Sequence, residues 1–323
     1  DKTKLYRSHD LYDIKKENGL VTKHKARLVV GKIIHNEGSV ESKDDFYAPT
    51  MDSKLLYMTL ALSLYQNSEL VVWDVKGAFL KSPIGEEVIY VKLNPRVTAM
   101  TLKMKPEWVE FVIDNRITMQ CKKAWYGLRC SPSLWYKEIS STLTDAGYSI
   151  HQEDECLFYK VLNNSQFSII MLHVDDMGIL APRDMRERKR IKKILEDKYE
   201  TLKEQVGNEF NYIGYHIVYN QERNVYEIDM SAKIEELYKS VDHGLLKNRN
   251  VETLSPLLKS DESELLNKYE TTKYRSIVMS LQYFSKVYMN IKYQVAMLAT
   301  KQNKPTKIDM KNAVRLTGYT YHQ

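Results

Sequence analysis

Cysteine is scarce in this chain: three residues in 323, Cys121, Cys130 and Cys156, none of them in CxxC spacing. That excludes a disulfide framework and a zinc knuckle, and it fits reduced thiols in a cytosolic or nuclear compartment. No apolar run approaches the ~18 residues of a membrane span. The opening segment DKTKLYRSHD has no apolar stretch of the kind a signal peptide needs, and it lacks an initiator methionine, so a piece of a longer chain is expected. Charge of one sign is also in short supply. Lys+Arg total 48 against 42 Asp+Glu, a net +6, which suits a nucleic-acid partner without demanding one. Repeats and long low-complexity tracts are missing. What is plentiful is apolar residue, 43% of the chain, ample for a sizeable core. At about 100–200 residues per domain, two domains or one domain with added lobes are expected. The 23 tyrosines fit either A/T-rich coding or a need for base-stacking surfaces.

Periodicity sketches an α+β chain, with an antiparallel core sheet flanked by helices. Residues 25–34 (KARLVVGKII) are loosely alternating and β-branched, a strand closed by the turn signal Asn36-Glu37-Gly38. Asp52 is placed to cap a helix bearing Leu55, Leu56, Tyr57, Leu60 and Leu64, which Gln66-Asn67-Ser68 ends. Leu70 to Trp73 is a short strand with Asp74 at its end. A helix after Pro132 carries Trp135, Ile139, Leu143 and Ala146 on one face, with Gly147 as its C-terminal stop. Residues 156–162 and 167–174 read as strands around Asn163-Asn164-Ser165, and 177–180 as a third apolar run. The helix over 184–199 buries Ile191, Ile194 and Leu195. Its Arg186, Arg188, Lys189, Arg190, Lys192 and Lys193 read as a solvated face in preference to a nucleic-acid contact. Helical patterns are expected from Tyr226 onward, through Ile234, Leu237 and Tyr238, with a linker near 260–264.

The informative feature is Asp175-Asp176 between two apolar runs. Adjacent ionised carboxylates repel at reduced dielectric, and a divalent cation relieves that. Such pairs are also ordinary turn residues. A third carboxylate on a neighbouring strand would complete an oxygen site for Mg²⁺, and Asp74 ends such a strand. Two ions bridged by such acids can stabilise the attacking and leaving oxygens of phosphoryl transfer.

His173-Val174-Asp175-Asp176 resembles the x-x-Asp-Asp box of reverse transcriptases. Trp73-Asp74-Val75-Lys76-Gly77-Ala78-Phe79-Leu80 resembles the box with the first catalytic aspartate, in the version of copia-type (Pseudoviridae-like) LTR retrotransposons. Lys25-Ala26-Arg27-Leu28-Val29 is similar to that family's fingers strand. Ala124-Trp125-Tyr126-Gly127-Leu128 with Ser131-Pro132 and Trp135-Tyr136 resembles its Leu-Tyr-Gly-Leu segment. Tyr212-Ile213-Gly214-Tyr215 resembles its primer-grip strand, and Tyr274-Arg275-Ser276-Ile277-Val278 through Tyr283 its connection segment. Six boxes in family order span residues 20 to 315.

The resemblance implies a right-hand polymerase: fingers at 1–49 and 83–130, palm at 50–82 and 131–219, thumb at 220–262, connection segment at 263–323. The activity implied is RNA- and DNA-templated DNA synthesis by two-metal nucleotidyl transfer. Asp74 and Asp175 would hold two Mg²⁺, with Mn²⁺ as a substitute, and Asp176 would be the supporting third acid. Lys25 and Arg27 would reach the triphosphate; each is otherwise a solvent-facing charge on a strand. Tyr126 and Gly127 match positions packing against the nucleotide, and Tyr126 is otherwise a core tyrosine. Phe79, five residues past Asp74, matches the steric gate that rejects a 2′-hydroxyl, or is an ordinary core Phe. Gly214 and Tyr215 would hold the primer near its end; otherwise they are a bulge glycine and a packed tyrosine.

Three departures stand out. His173 occupies the place of a family Tyr or Phe near the primer terminus, Gly77 that of Asn or Ser, and Cys130-Ser131-Pro132 that of Gln-Ala-Pro. Nothing after Thr317 resembles a ribonuclease H domain. Expected partners are a template–primer, dNTPs, and integrase and ribonuclease H within a longer polyprotein. No membrane is expected, and homo-oligomers are left open. The implied place is the cytoplasm, in a virus-like particle, or the nucleus. The competing readings are a domesticated, catalytically silent fold that binds nucleic acid or protein, and another palm-type nucleotidyl transferase or cyclase.

Overall fold

A long antiparallel hairpin opens the chain in the computed structural model, which describes residues 3–17, 20–36, 46–85, 87–162, 166–242, 244 and 263–323. Its strands are β1 (Thr3–Glu17) and β2 (Leu20–Asn36), so the strand read at 25–34 is longer at both ends. The chain divides into two compact units, Asp1–Val206 and Gly207–Gln323.

In the first unit, Asp52 caps α1 (Ser53–Tyr65) by accepting from the Lys54 amide at 3.0 Å. Leu56 and Leu60 are buried along it together with Thr59 and Ser63. Then come β3 (Ser68–Val75), a 3₁₀ turn (Ala78–Lys81), β4 (Val88–Lys92), α2 (Pro95–Met104), β5 (Val112–Ile113) and β6 (Arg116–Cys121). α3 (Ser131–Asp145) carries Pro132 in its first turn, where a missing N–H costs nothing, and Gly147 past its end has φ 87°. β7 (Ser149–Ile150), β8 (Leu157–Val161), β9 (Phe167–His173), β10 (Asp176–Pro182), α4 (Arg186–Tyr199) and β11 (Leu202–Gln205) complete the unit. The turn signals at 37–38 and 163–165 lie outside the described residues, as do 260–262 of the expected linker.

Among the described residues, one sheet has the order β2-β1-β4-β6-β5, and its core gathers Tyr6, Val30, Ile89, Val91, Ile117 and Leu128. The other, order β11-β3-β10-β9-β8-β7, is antiparallel throughout. Its central strands are apolar at successive positions: Leu70 to Trp73, Ile169 to Leu172 and Met177 to Ala181 are all buried. Both faces are therefore covered, with α1 against β3 and β9, and α4 against β10.

The reading of α4 as a solvated face holds for Arg186, Lys189 and Lys193, which are exposed, and is corrected for Arg188, Arg190 and Lys192. Arg188 is nearly buried and bonds Glu69 and Glu204 at 2.7 Å each. Lys192 reaches Glu204 at 2.6 Å, and Arg190 reaches Glu187 and the Ala146 carbonyl. These cations neutralise acids brought from β3, β11 and the helix itself, a pairing that charge periodicity on one helix does not show. Ile191 and Leu195 are buried as expected, and Ile194 is half-buried.

The second unit begins with the meander β12 (Glu209–Tyr212), β13 (Tyr215–Asn220) and β14 (Val225–Asp229). The expectation of helix from Tyr226 is wrong there. Val225 to Asp229 is a strand paired with β13, Tyr226 facing Tyr219, and helix starts only at α5 (Ser231–Ser240), where Ile234 is buried. Val225 and Ile228, three apart, fit a helix, and Tyr226 and Ile228, two apart, fit a strand; the ladder decides. α6 (Lys268–Phe284), α7 (Lys292–Thr300) and α8 (Lys307–Tyr321) follow. Reciprocal capping boxes, Asn267 with Glu270 and Thr306 with Asp309, start α6 and α8. No helix among the described residues is long and apolar enough to cross a membrane.

Candidate active site

Strand register assembles the acids. Asp176, first residue of β10, is the cross-strand partner of Asp74 on β3, and on its other side it faces His173 of β9. Asp74 in turn faces Lys203 of β11. Directly opposed residues project to the same face, so His173, Asp176, Asp74 and Lys203 form one row across four strands. Lys203 carries no motif and was not picked out from the sequence; only its place on β11 reveals it.

Asp175 lies in the two-residue turn between β9 and β10. Val174 before it takes φ 58°, a conformation costly for a β-branched residue. Two bonds hold the turn: Trp135 Nε1 donates to the Val174 carbonyl at 2.5 Å, and the Val75 amide donates to the Asp175 carbonyl at 3.0 Å. Trp135 is itself buried and packs edge-on against Tyr199.

Electrostatics marks the cluster. Burial, then Asp175 and Asp74, push the Asp176 carboxyl up to about 6, with Lys203 opposing. Asp175 is raised by burial and by Asp74 against its own backbone hydrogen bond, His173 and Arg27. Burial lowers His173 while Asp175 opposes it, and His173 Nδ1 is buried without a hydrogen-bond partner among the described residues.

The nucleotide-side residues converge on the same place from two segments. Gly77, at φ 69°, turns the chain out of β3 into the 3₁₀ turn carrying Phe79. The Phe79 ring lies 5.2 Å from that of Tyr126. Burial, Asp175 and Asp74 raise the Tyr126 hydroxyl while Arg27 lowers it, so this phenol stands among both acids and the guanidinium. The Tyr126 segment is tied to β2: the Val30 amide donates to the Tyr126 carbonyl at 2.7 Å, and Trp125 Nε1 donates to the Leu28 carbonyl at 3.0 Å. Gly127, at φ 93°, is required there, because a Cβ would sit 2.0 Å from the Val30 oxygen. Arg27, just before these ties, is exposed. Lys25 lies two residues further along β2, opposite Asp13. Gly214 and Tyr215 belong to the second unit: Gly214 turns the β12–β13 hairpin at φ 83°, and the Tyr215 side chain is buried.

The donor set suits a hard cation. Asp74 and Asp176 are ladder partners beside the Asp175 turn; burial first, and then the neighbouring carboxylates, raise Asp175 and Asp176, and a divalent ion would relieve the second of these causes. Among the described residues, no three His, Cys, Asp or Glu side chains converge enough to enclose an ion by themselves. That fits Mg²⁺, which takes one or two carboxylates and leaves positions for water and substrate phosphates.

Residues 3–254 match the family model described as reverse transcriptase (RNA-dependent DNA polymerase). The chain belongs to the reverse transcriptase family. It is 28% identical over 172 residues to the retrovirus-related Pol polyprotein from transposon TNT 1-94 of Nicotiana tabacum, covering 53% of this chain and 12% of that protein. It is 31% identical over 202 residues to the transposon Ty1-ER2 Gag-Pol polyprotein of Saccharomyces cerevisiae, covering 60% of this chain and 10% of that protein. These relatives are copia-type elements, in agreement with the boxes. The chain thus spans about a tenth of the length of the relatives it matches. All three acids of this reverse transcriptase, together with Phe79, Tyr126 and Arg27, fall inside the matched residues.

Proposed function

We propose that this chain synthesises DNA on RNA and DNA templates for a copia-type retrotransposon, by attack of a primer 3′-hydroxyl on the α-phosphate of a dNTP. The observation that carries the reading is the row Asp176–Asp74 beside the Asp175 turn, with Phe79, Tyr126 and Arg27 gathered against it. In this reading the sheet containing β3, β9 and β10 is the palm, the β1–β2 hairpin sheet the fingers, β14 to α5 the start of the thumb, and α6 to α8 the connection segment.

Asp74 and Asp175 would hold two Mg²⁺, or Mn²⁺ in its place, with Asp176 as the third acid. When bound, the ions supply neutralisation of the charge that develops on the transferring phosphoryl group. The chain's own residues do the rest. Arg27, with Lys25 further along β2, binds the triphosphate. Phe79 packs under the sugar, where a 2′-hydroxyl has no room, and Tyr126 supports that ring. Gly127 lets β2 approach closely enough for Arg27 to face the acids. Trp135 keeps the Val174–Asp175 turn rigid, so Asp175 is presented in one orientation. The Gly214 hairpin binds the primer, and His173 lies near its terminus. Integrase and ribonuclease H within a longer polyprotein are the fitting partners, and a cytoplasmic virus-like particle or the nucleus the fitting place.

Primer extension on poly(rA)/oligo(dT) with Mg²⁺ tests the reading. Extension by the parent and none by Asp74→Asn supports it. Binding of template–primer without extension by the parent would replace it with a silent nucleic-acid-binding fold.

A further inference from the structure

The β12–β13 hairpin is closed by Ile213-Gly214, since Tyr212 and Tyr215 are ladder partners. Both turn residues have positive φ, 43° and 83°, the pattern of a tight type I′ hairpin. For Ile213 that conformation is strained. The restraint comes from α6: the Tyr283 hydroxyl donates to the Ile213 carbonyl at 2.6 Å, and its ring stacks on Tyr215 with centroids 5.7 Å apart and planes 10° apart. Burial, then Tyr215, pushes the Tyr283 hydroxyl up to about 12, so it remains a donor. Gly214 is pressed against the same group. A Cβ there would fall within 2.4 Å of both the Tyr283 hydroxyl and Lys233 Nζ. The Lys233 ammonium stands over the Tyr283 ring, 5.2 Å from its centroid, and the Lys286 ammonium lies 5.8 Å from the same ring. Lys233 is exposed, so its charge is held at the turn by the ring and open to solvent. A groove of about 620 Å³ between α5 and α6, lined by Lys233, Ser240, Ser276, Ser280 and Tyr283 among others, opens beside it.

We infer that Tyr283 and Lys233 complete a primer-phosphate site on this turn: Lys233 binds a backbone phosphate, and Tyr283 is the positioning residue that fixes both the turn and the ammonium. The inference rests on the polymerase reading and assigns a role to the end of the connection-segment motif, beyond the residues of the family match. A fixed cation beside a side-chain-free turn is the chemistry that receives a phosphodiester strand without reading its sequence.

The test uses the whole chain and an oligo(dT)–poly(rA) duplex. Binding measured against salt gives a slope that falls by about one for each phosphate contact removed. Lys233→Gln is expected to lower that slope by about one, and Lys233→Arg to restore it. Tyr283→Phe keeps the stacked ring and the cation but deletes the hydroxyl. It is expected to lower kcat for extension about tenfold, the rate equivalent of one lost positioning bond. Its dNTP KM should remain near parental while kcat falls, a split that a merely structural tyrosine would not give. A parental salt slope in Lys233→Gln, or a parental kcat in a folded Tyr283→Phe, overturns the inference. Failure of the parent itself to extend primers sinks the polymerase reading instead, and the salt slope of Lys233→Gln still reports whether a phosphate contacts that lysine.

Discussion

Two turns, one in each unit, use the same device for different ends. Val174-Asp175 and Ile213-Gly214 are both two-residue hairpin loops whose first residue is β-branched and left-handed, at φ 58° and 43°. In both, the carbonyl of that strained residue is captured by the polar tip of a distant aromatic, Trp135 Nε1 in one and the Tyr283 hydroxyl in the other. The second residue differs. Asp175 presents a carboxylate among other carboxylates, whereas Gly214 presents bare backbone beside an ammonium. A turn strained by ~1–3 kcal/mol persists only where its surroundings over-determine it. The aromatic latch is common to both turns; under the proposed function, the residue after it separates a role in chemistry from one in binding.

The largest expected effect separates those two roles. Under the proposed function, Asp175→Asn removes an anionic metal ligand without disturbing the latch. A loss of ~4 kcal/mol of transition-state stabilisation slows extension roughly a thousandfold. Affinity for template–primer should stay near parental, because it rests on phosphate contacts elsewhere. Single-turnover extension and filter binding on the same variant check both halves; near-parental extension removes Asp175 from the chemistry.

Next is the latch itself. Trp135→Phe keeps most of the ring but leaves the Val174 carbonyl without its indole donor. Losing one such hydrogen bond costs about 0.5–1.5 kcal/mol. For a unit of this size that is a fall in Tm of about 2–4 °C for each kcal/mol. Extension should fall together with stability, and Tyr283→Phe should lose stability by a similar amount if the two latches are equivalent. Melting curves for the two variants side by side show whether the latches are equivalent.

Phe79→Val probes what the Asp175 turn serves. Opening the space under the sugar should raise rNTP use relative to dNTP, read as the ratio of kcat/KM values in parent and variant. An unchanged ratio in an active variant would make Phe79 only the packing partner of Tyr126.

The smallest effect concerns the sheet that carries the first turn. Burial alone would raise Glu204, but hydrogen bonds from Lys192, Trp73 and Arg188 outweigh it and hold the carboxyl down at about 2. Its folded pKa lies below its unfolded value. The stabilisation is therefore fully present above the ordinary carboxylate range, near 4.5, and disappears as pH falls through about 2. Glu204→Gln should be less stable than the parent at pH 7, with the gap closing between about pH 5 and pH 2. Urea midpoints across that range measure it; a constant gap would mean that the ion pairs with Arg188 and Lys192 add nothing.

The residues of the candidate site could be named from the sequence. The spacing of Asp74 and Asp175-Asp176 at the ends of apolar runs, with Tyr126-Gly127 and Phe79 in family order, suffices to name these residues. That Asp74 and Asp176 stand opposite one another is a matter of strand register. Less legible were the partners of charge. The paired cations of α4 read as a solvated face because their acids, Glu69 and Glu204, lie 119 and 16 residues away from Arg188. Val225 to Asp229 read as helix because five residues do not separate a period of 2 from one of 3.6.

Local chemistry along the chain therefore determined the reverse transcriptase family, the mixed α+β class, the Asp52 cap, the apolar strands and which acids are candidates. Each depends on residues within a few positions of one another. Tertiary structure alone decided that Lys203 stands across Asp74, that Trp135 latches Val174 from 39 residues away, and that Tyr283 latches Ile213 across 70. Those are matters of register and long-range packing, in which a one-residue slip would send every side chain of a strand to the other face. No local pattern carries that information, because the partner's position is set by the whole sheet and not by its neighbours in the chain.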